Sequence, residues 1–221
     1  MPGAGRPALL RSLAMGRYAL LVSGASGMLL PRHLLRALAE HPGVERLHLV
    51  ASAGASQVLR HELGPEQTGA RDLVAAAELS AGAAQKVVIH RDNELDAAIS
   101  SGSYRLQGTV VLPCSGGTLG ALASGSARTL VHRAGAVALK EGWPLVLGFR
   151  ETPLSIVHLE NLRRLAYAGA IILPPIPAFY LGGEDLGRFL DAYALRILDQ
   201  LGLESASGTG LRWREPSSTP G

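Results

Sequence analysis

The run Pro144-Leu-Val-Leu-Gly-Phe-Arg-Glu151 decides the fold, because an apolar segment ends there in a charged pair. Residues Leu145–Phe149 show no polar alternation, which is typical of a parallel strand covered on both faces. A charged pair at the carboxyl end of such a strand costs free energy unless it meets a ligand or a partner. Pro153 follows closely and is expected to open an amphipathic helix, where its missing N–H costs nothing. The stretch therefore predicts a strand, a ligand-facing pair and a helix.

Apolar runs of the same kind recur along the chain and predict further strands. They span Tyr18–Val22, Leu47–Ala51, Lys86–His90, Thr109–Leu112 and Ala170–Leu173. Helical patterns alternate with these strands, at about residues 28–40, 54–62, 66–79, 118–139, 153–168 and 184–201. The long fourth pattern is expected to break near Gly125, where Ser126 would cap a second helix. This alternation predicts a single Rossmann-like or flavodoxin-like three-layer α/β/α domain, with a mostly parallel sheet, over residues 17–203.

Composition excludes several classes of protein. The chain has 221 residues, 47% of them hydrophobic and 18% charged, which fits one globular domain. No apolar run approaches the ~18 residues of a spanning helix, so no membrane association is expected. The net charge of +3 comes without a Lys/Arg block interleaved with aromatic residues, so no nucleic-acid partner is expected. The single cysteine, Cys114, excludes an internal disulfide framework and fits a reducing compartment such as the cytoplasm.

Two terminal segments are expected to lie outside the domain. Residues 1–16 carry arginines, and no acidic residue precedes Glu40. They are either a flexible extension, with Met15 as a second available start, or an organellar transit segment; the extension is favoured. Residues 204–221 are rich in Ser, Gly and Pro, and we expect them to form a disordered tail.

Small, hydroxyl-bearing and charged residues follow most of the predicted strands. The segments are Ser23–Gly27, Ser52–Gly54, Pro113–Thr118, Arg150-Glu151 and Pro174–Tyr180. In an open parallel sheet the carboxyl ends of the strands share one edge, and ligands bind in the crevice there. These segments are therefore expected to converge on one ligand crevice.

The glycine-rich loop Ser23-Gly-Ala-Ser-Gly27 does not match a dinucleotide motif. In the pattern G-x-G-x-x-G, Ser26 stands at the second glycine, and an extended G-x-x-G-x-x-G would need glycine at Leu30. No Lys-Ser/Thr follows, which excludes a P-loop. The loop is either a mononucleotide-type phosphate loop at a helix start or a simple tight turn, and the first is favoured.

The second glycine-rich segment, Cys114-Ser-Gly-Gly-Thr118, suits a flat ligand. Its two glycines let the backbone approach such a ligand, and its two hydroxyls can bond it. Cys114 itself is either a nucleophile or a small buried thiol, and the buried thiol is favoured.

Three cations have open interpretations. Arg133 and Lys140 lie seven residues apart, so two helical turns return them to one face. They could hold a phosphate dianion or form a solvated basic stripe. Arg196 lies in an apolar helical pattern and is either a buried anion ligand or a snorkelling side chain. The histidines show no metal-ligand spacing, so no metal site is expected.

Taken together, six segments resemble the UbiX/Pad-type flavin prenyltransferases. They match in order, with family-like spacing, between about residues 18 and 203. The segments are Ser23–Gly27, Val110–Leu119, Arg133–Glu141, Pro144–Pro153, His158–Asn161 and Pro174–Tyr180.

The resemblance implies a Rossmann-like homo-oligomer, commonly a dodecamer, that binds FMN. Such an enzyme joins the dimethylallyl group of dimethylallyl monophosphate to N5 and then C6 of reduced FMN, without a metal. The product, prenylated FMN, is the cofactor of partner UbiD-type decarboxylases.

The resemblance also implies roles for individual residues. Contacts to FMN would come from Gly24, Ala25, Ser26, Ser52, Ser115, Gly116, Gly117, Thr118 and Arg150. The prenyl phosphate would be held by Arg133, Lys140, Tyr180 and Arg196. Ser26 and Glu151 would transfer protons, so that the catalytic set is Ser26, Arg133, Lys140 and Glu151. Leu95 stands where some members place a tryptophan over the prenyl group, which leaves the preferred prenyl chain open.

Two other functions compete with this one. An FMN-dependent cysteine decarboxylase would carry Pro-Ala-x-x-Asn-Thr where this chain has Pro113–Thr118, and no Pro-x-Met-Asn segment occurs. A non-catalytic FMN-binding accessory subunit would need no second phosphate site, yet Arg133, Lys140, Tyr180 and Arg196 would form one. Both are therefore disfavoured.

Overall fold

A computed structural model describes residues 15–181, 185–204 and 211 of the chain. Almost all of the predicted extension 1–16 and of the predicted tail 204–221 lies outside the described residues. The strands are β1 (Gly16–Val22), β2 (Val44–Ala51), β3 (Val87–Arg91), β4 (Gly108–Cys114), β5 (Leu145–Phe149) and β6 (Ile171–Ile172). The helices are α1 (Leu29–Glu40), α2 (Ala53–Leu63), α3 (Ala70–Ala76), α4 (Ala81–Lys86), α5 (Gly116–Ser124), α6 (Leu130–Lys140), α7 (Ile156–Tyr167) and α8 (Leu186–Leu201). Short 3₁₀ turns occur at Ala98–Ser100 and Phe179–Leu181.

All six strands form one parallel sheet in the order β3-β2-β1-β4-β5-β6. In the central register, Leu20 of β1 pairs with Leu49 of β2 on one side and with Val110 of β4 on the other. This is the strand order of the Rossmann fold. From β1 the chain first adds β2 and β3 on one side and then crosses to add β4, β5 and β6 on the other, so the switch point of the topology lies between β1 and β4. The predicted three-layer fold and all six predicted strands are confirmed, and the crevice belongs at the carboxyl ends of β1 and β4.

Two apolar cores cover the two faces of the sheet. One packs α1 and α8 against side chains such as Leu20 and Leu49, and α2, α3 and α4 extend it. The other packs α5, α6 and α7 against side chains such as Leu21 and Val111. Alternate residues of β1, β2, β4 and β5 thus enter opposite cores, which explains why these strands are apolar without polar alternation. Helices α6 and α8 lie in different layers.

Several predicted helix boundaries are wrong, and capping explains most of them. Pro153 does not open α7; the helix begins at Ile156, because the Ser155 hydroxyl caps it by accepting the His158 N–H at 3.2 Å. Ser126 does not cap α6, since Thr129 does so instead. The predicted break at Gly125 is confirmed, and this residue has the left-handed conformation (φ 74°) that glycine adopts freely.

The region between β2 and β3 was predicted as one helix over 66–79 after α2. It contains the shorter α3 and, in addition, α4, which leads directly into β3. The predicted strand start at Lys86 is wrong, because Lys86 ends α4 and its ammonium group donates to the carbonyl oxygens of Ala39 and His41. Within the described residues, no helix is long and apolar enough to cross a membrane.

Candidate functional site

Ser23 joins the two loops that flank the reversal point of the sheet. Its side chain is 1% exposed, and its hydroxyl donates to the Pro113 carbonyl oxygen at 2.8 Å and accepts the Ser115 N–H at 2.8 Å. These bonds hold the β1–α1 loop against the β4–α5 loop, so two of the predicted flavin-contact segments meet at one edge. Sequence reasoning did not single out Ser23, since nothing in its neighbourhood distinguishes a buried serine from an exposed one.

A contact between two backbones joins the β1–α1 loop to the first turn of α2. A Cβ atom on Gly24 would lie 2.8 Å from the carbonyl carbon of Gly54, which is closer than real Cβ contacts come. Position 24 therefore requires glycine, whereas a Cβ on Gly54 would make a tighter but less severe contact of 3.3 Å with the Gly24 Cα. Ser52, the N-cap of α2, accepts the Ala55 N–H at 3.1 Å and donates its own N–H to the Val22 carbonyl at 2.9 Å. The contact thus places Ser52 beside the loop that holds Ser26.

The start of α5 presents backbone donors to the crevice. Ser115 caps the helix by accepting the Thr118 N–H at 3.3 Å, and its hydroxyl lies 3.2 Å from the Thr118 hydroxyl. In the part of the chain that the structure describes, the N–H groups of Gly116 and Gly117 have no acceptor outside the helix, and they lie too early in it to have one inside. A Cβ on Gly117 would meet nothing within 4 Å. A flat ligand with acceptor atoms fits this surface, so the residues present suit a flavin.

The charged pair after β5 reaches the same loops. Arg150 Nε donates to the Ser26 carbonyl oxygen at 3.1 Å, which ties β5 to the β1–α1 loop. Glu151 is exposed, and one of its carboxylate oxygens accepts the Thr152 N–H at 3.0 Å. The structure therefore brings Gly24–Ser26, Ser52, Ser115–Thr118 and Arg150 together at the carboxyl edge, with Glu151 at its surface.

Glu62 is a site residue that the sequence analysis missed. Its carboxylate accepts the Gly27 N–H at 3.0 Å and the Met28 N–H at 2.7 Å, which caps the start of α1. Partial burial pushes the pKa of Glu62 upward, but the hydrogen bonds from Met28, the Ser26 hydroxyl and Gly27 outweigh it and hold the pKa below its usual value. An ionised carboxylate thus touches the hydroxyl of Ser26. Glu62 lies 35 residues from Gly27 in a helix of ordinary composition, so no local signal pointed to it.

Cys114 is a buried thiol. It is 0% exposed, and burial raises its pKa to about 12, so the sulfur stays protonated. The nucleophile alternative is therefore excluded, and the favoured one is confirmed.

The four predicted phosphate ligands are not brought together within one chain. Arg133 and Lys140 lie on α6, whereas Arg196 lies on α8, across the sheet. Seven helical residues separate Arg133 from Lys140 by about 10 Å along the axis, so Lys140 approaches the opposite, amino edge of the sheet. Arg196 is exposed and pairs with Asp199 at 3.6 Å, so within a single chain it is a solvent-facing cation. Tyr180, in the second 3₁₀ turn, is 53% exposed.

Each α6 cation already has a partner on its own chain. Arg133 Nε donates to the Ser100 carbonyl oxygen at 3.0 Å. Lys140 pairs with the carboxylate of Glu141, and the pair lies against Gly102, where an added Cβ would meet Lys140 Nζ at 2.9 Å. Both cations thus lie against the connection between β3 and β4, Arg133 at Ser100 and Lys140 at Gly102.

A chain of four polar side chains anchors that connection to the sheet. The ionised carboxylate of Glu94 accepts from His90 Nδ1 at 3.4 Å, so His90 Nε2 accepts from His48 Nδ1 at 2.9 Å, and His48 Nε2 accepts from the Tyr104 hydroxyl at 3.1 Å. His48 is 3% exposed, and burial, followed by the positive charges around it, lowers its pKa to about 4. Over residues 15–181 and 185–204, no three His, Cys, Asp or Glu side chains are grouped as a metal ion would need.

A cavity of about 920 Å³ opens at the carboxyl ends of β2 and β3, beside the Ser52 loop. One wall is formed by residues 89–94, a second by the start of α3, and a third by Arg128 and Thr129 at the start of α6. The cavity therefore continues the crevice away from β1 and towards α6.

Comparison with known proteins identifies the family. The model of the flavoprotein family matches residues 9–191. The flavin prenyltransferase UbiX of Deinococcus radiodurans is 42% identical over 195 residues, which cover 88% of this chain and 91% of that protein. The chain belongs to the UbiX flavin prenyltransferase family.

Solved structures of this family share the fold. A dodecameric FMN-dependent UbiX-like decarboxylase from Escherichia coli O157:H7 superposes with a TM-score of 0.77 at 40% identity, covering 90% of this chain and 100% of that one. AnUbiX (PadA1), in complex with FMN and dimethylallyl pyrophosphate, also gives a TM-score of 0.77, at 36% identity, covering 92% of this chain and 100% of that one. The resemblance inferred from the sequence motifs is thereby confirmed.

Proposed function

We propose that this chain is a flavin prenyltransferase, which joins the dimethylallyl group of dimethylallyl monophosphate to N5 and C6 of reduced FMN. The observation that carries the proposal is its 42% identity to a flavin prenyltransferase over 88% of its length. The crevice supports it, because three loops and Arg150 are bonded into one surface that suits a flavin. A cysteine decarboxylase is disfavoured by the Pro113–Thr118 segment, and an accessory subunit by the cations of α6 and α8.

The flavin would lie on the backbone of Gly24–Ser26 and of Ser115–Thr118, with Ser52 and Arg150 at its sides. The free N–H groups of Gly116 and Gly117 supply donors for its acceptor atoms. When bound, reduced FMN supplies the nucleophilic ring atoms of the reaction. The protein supplies position and charge.

The leaving phosphate needs fixed positive charge and a proton, and the chain carries side chains for both. Arg133, Lys140, Tyr180 and Arg196 would hold the phosphate. Glu151, exposed beside the crevice, would deliver the proton that lets the phosphate leave. Ser26, which lies beside the ionised Glu62, would transfer a proton at the flavin.

A second copy of the chain would complete this phosphate site. Arg133 and Lys140 lie about 10 Å apart along α6, and both lie across the sheet from Arg196, so neighbouring copies would have to supply the rest of the phosphate ligands. Apolar side chains left exposed around the start of α7 support association; Ile156 is 69% exposed, and Phe179, near β6, is 86% exposed. We therefore propose a homo-oligomer, with a dodecamer as the arrangement suggested by the E. coli relative.

The product would be prenylated FMN, which a UbiD-type decarboxylase would receive as its cofactor. The reaction would take place in the cytoplasm, where the free thiol of Cys114 is stable. No metal takes part in the proposed reaction.

The direct test is an anaerobic incubation of the protein with FMN, a reductant and dimethylallyl monophosphate. Mass spectrometry should reveal a flavin heavier by one C5 unit. FMN binding without this adduct would refute the proposal and leave the accessory-subunit function. Release of carbon dioxide from a C-terminal cysteine peptide, without the adduct, would instead favour the cysteine decarboxylase. Dimethylallyl diphosphate in a parallel reaction determines which donor is preferred.

A single substitution tests the role of Glu151. Glu151→Gln should retain FMN yet slow product formation by about a hundredfold or more, because a general acid typically contributes that much. Glu45→Gln is the matched control, since Glu45 is an exposed glutamate near the amino end of β2, at the other edge of the sheet. Wild-type turnover in Glu151→Gln would remove Glu151 from the mechanism.

A further inference from the structure

Asp92, in the connection between β3 and β4, forms two hydrogen bonds to the first turn of α6. The Asp92 carbonyl oxygen accepts the Leu130 N–H at 2.7 Å, and its carboxylate oxygen Oδ1 accepts the Val131 N–H at 2.9 Å. Asp92 directly follows β3, so these bonds tie the sheet edge to a helix that is nearly forty residues away in sequence. Asp92 and Thr129 also line the same cavity, and the bonds join two of its walls.

Asp92 supplies the acceptors for the first two N–H groups of α6. The first N–H groups of a helix have no intrahelical partner and must find one elsewhere. Here the N–H groups of Leu130 and Val131 donate to Asp92, and the N–H group of His132 donates to the Thr129 hydroxyl oxygen at 3.4 Å. The Arg133 N–H bonds to the Thr129 carbonyl at 2.8 Å and begins the helical pattern. Two residues thus set the position of the first turn: Thr129, which directly precedes the helix, and Asp92, which directly follows β3.

Arg133 follows this turn immediately and is held by the same connection a second time. Its Nε donates to the carbonyl oxygen of Ser100, eight residues after Asp92. One segment therefore fixes both the backbone turn that carries Arg133 and the guanidinium of Arg133. A shift of the first turn relative to Ser100 would change the direction in which the rest of the guanidinium is presented.

We propose that Asp92 is a positioning residue for the reaction: by holding the first turn of α6 against the end of β3, it places the Arg133 guanidinium to bind the prenyl phosphate. The inference rests on the proposed function, because it assigns Arg133 to that phosphate. The Asp92 carboxylate acts through the Val131 N–H and the geometry of the turn.

Asp92→Ala removes only the carboxylate acceptor and leaves the carbonyl bond to Leu130. The KM for dimethylallyl monophosphate should rise about five- to twentyfold, because a displaced cation weakens phosphate binding in ground and transition state alike. The dissociation constant of FMN and the kcat should stay close to wild type. Asp92→Asn should restore most of the KM, because an asparagine oxygen accepts at a helix start about as well as a carboxylate.

A matched control separates positioning from general stabilisation. Asp72 also caps a helix in a wall of the same cavity, since its carboxylate accepts the N–H groups of Thr68 and Gly69, but α3 carries none of the proposed phosphate ligands. Asp72→Ala should shift the urea midpoint about as much as Asp92→Ala does, without raising the KM. An equal rise of KM in both variants would show that only stability is being measured, and would overturn the proposal.

A double-mutant cycle tests whether Asp92 acts through Arg133. If it does, adding Asp92→Ala to Arg133→Ala should not raise the KM further, because the cation that Asp92 positions is already gone. Additive rises would overturn the proposal, as would a wild-type KM in Asp92→Ala. If the variant does not fold, Asp92→Asn in the same cycle gives the answer, since its weaker effect must also vanish in the absence of Arg133. A wild-type protein that forms no prenylated flavin would refute the proposed function instead, so the two failures are distinguishable.

Discussion

Protonation of His48 should make the folded protein less stable between about pH 6.5 and about pH 4. Burial is the main cause of its lowered pKa of about 4, and the charges of His90, Arg46 and Arg17 add to it. In the unfolded chain the same imidazole takes up its proton at the ordinary pKa of 6.5. Between these two pKa values the unfolded state binds more protons than the folded state. The contribution of neutral His48 to the free energy of unfolding is therefore complete above the unfolded-state pKa and is lost as the pH falls towards the folded-state pKa.

The magnitude follows from this difference in pKa. Between about pH 7.5 and about pH 5, linkage removes at most about 2 kcal/mol from the free energy of unfolding, and about 1–2 kcal/mol when partial solvent screening is allowed for. The hydrogen bonds give the loss a structural cause. A proton added to His48 would go to Nε2 and displace the hydrogen bond that this nitrogen accepts from the Tyr104 hydroxyl at 3.1 Å.

The assay compares urea unfolding of the wild type and His48→Gln at the two pH values, at one protein concentration and without flavin. His48→Gln should lose stability at the higher pH, because it disturbs the bonds to His90 and Tyr104, but its stability should fall less steeply with acid than that of the wild type. The control His61→Gln replaces an exposed histidine of α2 and should keep the wild-type slope. Equal slopes in the wild type and His48→Gln would refute the reasoning, because they would mean that His48 takes up its proton equally in both states.

Three other substitutions or treatments give further tests. Cys114 should not react with a maleimide in the native protein and should react in urea, because the thiol is buried and its pKa is raised to about 12; fast native labelling would contradict this. In Gly24→Ala the added Cβ would overlap the Gly54 backbone. The substitution should therefore lower the free energy of unfolding by about 2 kcal/mol and also lower the affinity for the flavin. Gly117→Ala should lower flavin affinity alone, since its Cβ meets only open space; flavin fluorescence titration and urea unfolding distinguish the two glycines.

The sequence alone determined the strands, their order of alternation with helices, and therefore the fold class. Continuous apolar runs such as Leu145–Phe149 mark strands that are buried on both faces, and this signal is local. Glycines and hydroxyls after the strands located the crevice, because a parallel sheet places every carboxyl end on one edge. The flavin and the prenyl phosphate were inferred from the resemblance of six sequence segments to a known family, and not from the positions of individual side chains.

Helix ends were less predictable, since they depend on which of several polar residues captures the free N–H groups. Ser155 rather than Pro153 begins α7, and Thr129 rather than Ser126 begins α6. All four are residue types that are common at helix starts, and the choice depends on the path of the preceding loop. The short α4 was missed because six residues show too little periodicity to be recognised.

Only the tertiary structure decided which side chains share the site. Glu62 caps the α1 start and touches Ser26, and Asp92 caps α6, although each lies more than thirty residues from its partner. The structure also put Arg133 and Arg196 in opposite layers, although the motifs had grouped them in one phosphate site. The physical reason is that periodicity records whether a residue is buried, whereas a hydrogen bond or a shared ligand depends on where distant segments meet in space.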